Sequence, residues 1–281
     1  MMSKYFTFFA AAAVTISTAF GQVSTAPGKP ALSPEQLAQR QAFRPAPMRL
    51  AGVAPSIKNG LVESYNWGGY AVTGTDFTDA KGSWVVPAVN CAASPNAAVA
   101  FWVGIDGFSD TTVEQTGVAV VCEQNAAVYF AWYEFYPSAL VVISNITVTP
   151  GDTFAGEVSY SSATSEFTAT LTDVSTGASY SIAQAVAGAE RSSAEWIVEA
   201  PDAVTGILNL AKFGRAFFGA DFTGQAGTNQ ATDSSVSGVI KKFGSAVQAI
   251  TQIDWLLFTE QTPSALSRDG SSFFNNWIEY N

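Results

Sequence analysis

The sequence predicts an all-β fold, an antiparallel sandwich of two sheets, and three observations carry that expectation. Short runs rich in Val, Phe, Tyr, Trp and Thr recur after residue 60, many alternating with the period of two that a half-buried strand requires. Turn chemistry separates them at Pro150-Gly151-Asp152, Ser175-Thr176-Gly177 and Arg268-Asp269-Gly270. Long amphipathic helical periods are scarce. With 281 residues, 48% hydrophobic and only 13% charged, the chain can bury one large core. In order, the expected strands are 83–87, 99–105, 118–122, 128–136, 153–160, 166–173, 195–199, 216–222 and 271–278; segments 203–211 and 235–250 stay open.

The first 60 residues have a different character. An uncharged apolar stretch over 5–20 is followed by Ala19-Phe20-Gly21, whose small residues at alternate positions suit a signal-peptidase site before Gln22. Residues 1–21 therefore read as a signal peptide and the protein as secreted. A membrane anchor is the alternative, but the run is shorter than the about 20 residues a bilayer needs and includes Thr15, Ser17 and Thr18. Half of the twelve prolines lie between 22 and 58, with Lys29, Arg40, Arg44, Arg49 and Lys58 against Glu35 alone, a net of +4. Ser33-Pro34-Glu35-Gln36 reads as a capping box and predicts one short helix towards Ala42. From residue 59 onward, 7 basic and 22 acidic residues give −15. That asymmetry marks 22–60 as a propeptide held by charge on the body, 61–281, as its intramolecular inhibitor, and weakening as carboxylates protonate around a pKa of about 4. A flexible linker is the alternative.

Composition excludes much chemistry. Histidine is absent, which removes Ser-His-Asp and Cys-His arrangements, the HExxH zinc motif and every other imidazole base. A net charge of −10 argues against nucleic-acid binding, which needs Lys and Arg on phosphates. Cys91 and Cys122 cannot build a structural zinc site alone; they are either one disulfide in an oxidising compartment or two buried thiols. No phosphate-binding glycine loop, metal cluster or internal repeat is visible, so neither cofactor nor metal is expected. A monomer without a membrane partner after processing is the expected state.

Four clusters combine polar groups with aromatics. In Phe101-Trp102-Val103-Gly104-Ile105-Asp106-Gly107, Trp102, Gly104 and Asp106 share a face by period two, the glycine leaving space beside a sheet. In Val113-Glu114-Gln115-Thr116-Gly117, Gln115 and Gly117 do the same. Ala131-Trp132-Tyr133-Glu134-Phe135-Tyr136-Pro137 sets Trp132, Glu134 and Tyr136 together. In Ala194-Glu195-Trp196-Ile197-Val198-Glu199-Ala200-Pro201 the two glutamates point one way, onto a solvated face or into a cleft, and Trp196 and Val198 the other.

In that order, WVGIDG, QTG, AWYEFYP and AEWIVEAP, preceded by Asn66-Trp67-Gly68-Gly69-Tyr70, resemble the glutamic peptidases, the eqolisin or G1 family of secreted acid proteases. The resemblance covers nearly all of the chain after residue 60. It implies a sandwich, concanavalin-like or jelly-roll-like, whose concave sheet carries a catalytic pair of Gln and Glu; the two side chains are expected to converge from neighbouring strands. By motif position these are Gln115 and Glu199; Glu195 is not the matching glutamate. Trp102, Asp106, Trp132, Glu134 and Tyr136 would then line or support the substrate cleft, with Trp67 near its entrance. Ala119 stands where some members carry Asp.

The chemistry also follows from the residues. Peptide hydrolysis needs a base for water, a donor for the developing oxyanion and an acid for the leaving amine. Without imidazole a carboxylate must move the proton, and the residues the resemblance points to fit: Glu199 as base and then acid, and Gln115 as a neutral amide donor. A glutamate with an ordinary pKa of about 4.3 suits acidic conditions, and polypeptides are the expected substrates. The competing reading is a carbohydrate-binding or glycoside-hydrolase sandwich, since tryptophans beside carboxylates also suit sugars. Glu195 and Glu199 on one strand, roughly 13 Å apart, are too distant to act as its catalytic pair, whereas Glu134 with Glu199 stays open.

Overall fold

The structure, a computed structural model, describes residues 43–49, 61–123, 125–204 and 206–278. The expected signal peptide and the helix after Ser33 lie outside those residues.

Strands β1 (Leu61–Ser64) and β2 (Trp67–Thr73) belong to a first sheet, and β3 (Asp79–Val85) to a second. The chain returns to the first with β4 (Ala98–Ile105), β5 (Val113–Glu123), β6 (Ala126–Tyr136) and β7 (Val141–Ile143). The meander β8 (Thr153–Ser161), β9 (Glu166–Asp173) and β10 (Ser179–Gln184) extends the second, and β11 (Ser193–Glu199) enters the middle of the first. After a separate ribbon of β12 (Asp202–Ala203) and β13 (Gly206–Ile207) come β14 (Arg215–Phe218), β15 (Gln230–Thr232) and β16 (Ser237–Val239) in the second sheet. Finally β17 (Val247–Ile253) joins the first, and β18 (Thr259–Pro263) and β19 (Phe273–Trp277) bridge one sheet to the other.

The first sheet runs β7–β6–β5–β4–β11–β2–β17–β1, antiparallel except for the parallel β1–β17 pair. The second is β10–β9–β8–β3, with β14 and β15 along the far edge of β3. Their inner faces make the main core: Phe101, Val103, Trp196 and Val198 from the first meet Trp84, Phe154, Phe167 and Phe218 from the second. Alternation in β8 and β9 is regular, because one face is buried and the other solvated. Gly82 and Gly156 let the sheets approach, since a Cβ at Gly156 would lie 2.7 Å from Val103 and one at Gly82 3.0 Å from the Trp196 ring. Cys91 and Cys122 form a disulfide with Cα atoms 5.2 Å apart, tying the loop before β4 to β5.

Most expected strands are present with ends shifted by a few residues, while 118–122 is the last part of an eleven-residue strand that begins at Val113. Segment 216–222 is not one strand. β14 stops at Phe218, Gly219 turns at φ 95°, and a four-residue helix, Ala220–Thr223, follows. Segment 235–250 contains β16, a 3-10 segment Ile240–Ala246 and the start of β17.

Unlike most sheets with one wet side, β4 and β11 are buried along their entire lengths. A second apolar cluster lies on the outer face of the first sheet, formed by Trp67, Ala100, Trp102, Ala119, Phe130, Trp132 and Ile197, and Phe43 from the segment before residue 50 belongs to it.

Candidate active site

Three rows of side chains cross this outer face. Glu195, Gly104, Gln115 and Glu134 stand in register on β11, β4, β5 and β6; Ile197, Trp102, Gly117 and Trp132 form the next row; Glu199, Ala100, Ala119 and Phe130 the third. Trp67 on β2 pairs with Glu199. The glycines make room for a tryptophan: a Cβ on Gly117 would come within 2.6 Å of the Trp102 Cβ, and one on Gly104 within 3.0 Å of its ring. Trp102 thus lies flat between the Gln115 row and the Glu199 row. Gln115 and Glu199 share the face but not adjacent strands, because β4 runs between theirs; the expectation of neighbouring strands is corrected.

Segment 43–49 lies across this face. Its Ala46 amide donates to Glu199 Oε1 at 2.9 Å, the Asn66 side-chain amide reaches the same oxygen at 3.4 Å, and the Trp102 indole donates to Oε2 at 2.9 Å. The Trp67 indole donates to the Ala46 carbonyl at 3.0 Å, and its ring meets Trp102 edge-to-face, centroids 4.9 Å apart. Trp67 is fully buried beneath segment 43–49. Burial raises the Glu199 pKa well above the ordinary value, whereas the Ala46 amide and the Trp102 indole favour its charged form.

Gln115 donates through Nε2 to Glu134 Oε2 at 3.0 Å, and its Oε1 takes no hydrogen bond from the described residues. Arg44 pairs with the other Glu134 oxygen at 3.2 Å, places its guanidinium 4.5 Å from the Tyr136 ring centre and donates to the carbonyls of Pro137 and Ser138. The Glu134 pKa is raised to about 8, by burial, against the opposing charge and hydrogen bond of Arg44 and the bond from Gln115. One short stretch of peptide thus touches both ends of the candidate pair: Ala46 meets Glu199, and Arg44 reaches Gln115 through Glu134. Further along, Arg49 pairs with Asp202, and its amide donates to Asn66 Oδ1 at 2.7 Å.

The remaining expected residues divide. Trp132 is buried in the cleft cluster and Tyr136 is half-buried at its edge. Asp106 turns out of β4 at φ 71° and accepts the amides of Arg191 at 2.8 Å and Ser192 at 2.6 Å, so it fastens the loop entering β11. Its pKa is raised to about 6, by burial and by Asp110, against those two amides. Glu195 and Glu199 are both fully buried, which overturns the solvated-face alternative. Among the described residues no group of His, Cys, Asp and Glu is arranged to hold a metal ion.

The Peptidase A4 family model matches residues 65–254. The chain belongs to the Peptidase A4 family. It is 30% identical to aspergillopepsin-2 of Aspergillus niger over 63% of this chain and 70% of that one, and 38% identical to scytalidopepsin B of Scytalidium lignicola over 58% and 63%. Among solved structures, scytalido-glutamic peptidase with a transition state analog inhibitor superposes with a TM-score of 0.63 at 25% identity, covering 76% of this chain and 98% of its own. Aspergilloglutamic peptidase from Aspergillus niger gives 0.54 at 27%, covering 65% and 99%.

As a member of the Peptidase A4 family, the eqolisins or glutamic peptidases, the chain is a hydrolase of peptide bonds with the family's β-sandwich, and the carbohydrate alternative lapses. Sequence reasoning did not assign Asn66 or Ala46. Asn66 stands beside the quoted Trp67, yet only the bend from β1 to β2 aims its amide at Glu199; Ala46 contributes a backbone group, which no residue pattern marks.

Proposed function

We propose that the chain is a secreted acid endopeptidase made as a zymogen, with Glu199 and Gln115 as its catalytic pair. The observation that carries this reading is the Glu199 carboxyl group: two indole and amide side chains and one backbone amide converge on it, within a cleft where a peptide already lies. With segment 43–49 in place, burial is the largest force raising its pKa. Departure of the segment admits water, removes much of that desolvation and leaves the Trp102 donor, so an ionised Glu199 becomes available under acidic conditions.

Ionised Glu199 then takes a proton from the water that attacks the scissile carbonyl and returns it to the departing nitrogen. The Gln115 side chain has two N–H donors. One is held by Glu134, which fixes the amide plane, and the second is free to stabilise the oxyanion, while Oε1 can orient the water. A neutral amide does this without setting a negative charge against the developing one.

Segment 43–49 has the features of an inhibitor. The Ala46 N–H occupies the Glu199 oxygen the mechanism reserves for water. Within Arg44-Pro45-Ala46-Pro47 the one secondary amide is Pro45–Ala46, and its hydrogen is given to that carboxylate. Arg44 and Arg49 meet Glu134 and Asp202, in keeping with a basic segment on an acidic body. Incubating the full chain at acid pH with denatured casein tests the reading; release of peptides supports it, and intact casein overturns it.

A further inference from the structure

The third row of the cleft differs from its neighbours. Between Glu199 and Phe130 it carries only Ala100 and Ala119, with Ala98 next on the same face of β4, whereas the other rows carry Trp102, Trp132, Gln115 and Glu134. Small side chains in the middle of a sheet face leave a hollow, floored by alanine and walled by Phe130. Phe43 belongs to the same buried cluster as these alanines: the residue is 3% exposed, and its ring stands edge-to-face on Phe130 with centroids 5.7 Å apart and planes at 76°. Phe43 lies three residues before Ala46, whose amide meets Glu199.

We propose that this hollow is a substrate subsite for a large apolar, preferably aromatic, side chain at the third or fourth residue on the amino-terminal side of the cleaved bond. Ala119 and Phe130 determine its specificity. The substrate runs in the direction of segment 43–49, so that Phe43 occupies the place a substrate ring takes after activation. An apolar hollow rewards an entering ring by removing its surface from water, and the Phe130 edge adds a preferred orientation. The inference rests on the peptidase reading, because it names which polypeptides that cleft favours.

The test uses the full chain activated at acid pH and two peptide series. One varies Phe, Leu, Ala and Asp at the third and fourth residues before a fixed cleavage site, and the other makes the same changes after it. The expected result is a kcat/KM for Phe about tenfold or more above Ala in the first series alone, residing mostly in KM. Ala119→Leu fills the hollow and brings that ratio close to one, and Phe130→Leu lowers it severalfold. Equal rates for Phe and Ala in the parent, or an unchanged ratio in both variants, overturns the proposal. A second measurement does not depend on catalysis: at neutral pH, Phe43→Ala in the full chain should speed cutting within 43–49 by an added protease about tenfold. Unchanged cutting overturns the subsite, whereas failure to cleave any peptide, with the Phe43→Ala effect present, overturns only the peptidase reading.

Discussion

β11 offers two glutamates on one strand, four residues apart, on one face and both fully buried, yet their surroundings are opposite. Glu199 receives N–H donors on both oxygens, and a peptide lies over it. Around Glu195, burial together with Asp106, Asp110 and Glu114 raises the pKa well above the ordinary value, against the Ser193 hydroxyl alone. Burial raises both carboxyl groups above their ordinary pKa; at Glu199 a backbone amide and an indole oppose that rise, which suits the proposed role of base. The difference arises from position: Glu199 lies beside Trp67, Trp102 and Asn66, and Glu195 at the end where acidic side chains gather.

The sharpest way to break the comparison is to neutralise each glutamate in turn. Glu199→Gln should lose essentially all casein hydrolysis at acid pH, while Glu195→Gln should stay within about threefold of the parent; the reverse pattern would exchange their roles. Next in size, Gln115→Ala removes the proposed oxyanion donor and should slow turnover by roughly a hundred- to a thousandfold with the fold intact, read as kcat beside circular dichroism.

The acidic end should appear in stability instead. Glu195 and Glu114, whose pKa is raised to about 10, mainly by burial and then by Asp106 and Asp110, hold protons in the folded chain that the unfolded chain releases above about pH 4.5. Their contribution is complete below that pH and declines as pH rises towards the folded values, by about 1.4 kcal/mol per pH unit for each group. Thermal unfolding should therefore show Tm falling between pH 4 and 8, and Glu195→Gln should flatten the fall; an equal slope would remove Glu195 from the account. The smallest effect belongs to the other end. Arg44→Ala removes one partly exposed anchor of the segment on Glu134 and Tyr136 and should raise the residual activity of the unactivated chain about fivefold, measured on a short peptide near neutral pH.

Much of this was legible in the residues. Alternation of apolar and polar residues located β8 and β9, because a strand buried on one face has period two whatever it packs against. β10, six residues of which three are polar, gave no such signal, since its position is secured by pairing with β9. Gln115, Glu199, Trp102 and Glu134 could be placed on faces by counting, and the motif order named the family. Charge separation along the chain anticipated a basic segment against an acidic body.

Only the tertiary structure decided the rest. That β4 separates the strands of Gln115 and Glu199, that Asn66 turns inward and that Ala46 offers its amide all depend on sheet order and on a backbone crossing the cleft. Composition and period determined which residues could share a face, since a side chain's direction along a strand is local. Which neighbours they met was settled by strand pairing across the whole chain, and it is those neighbours that surround one buried glutamate with N–H donors and leave the other among acidic side chains.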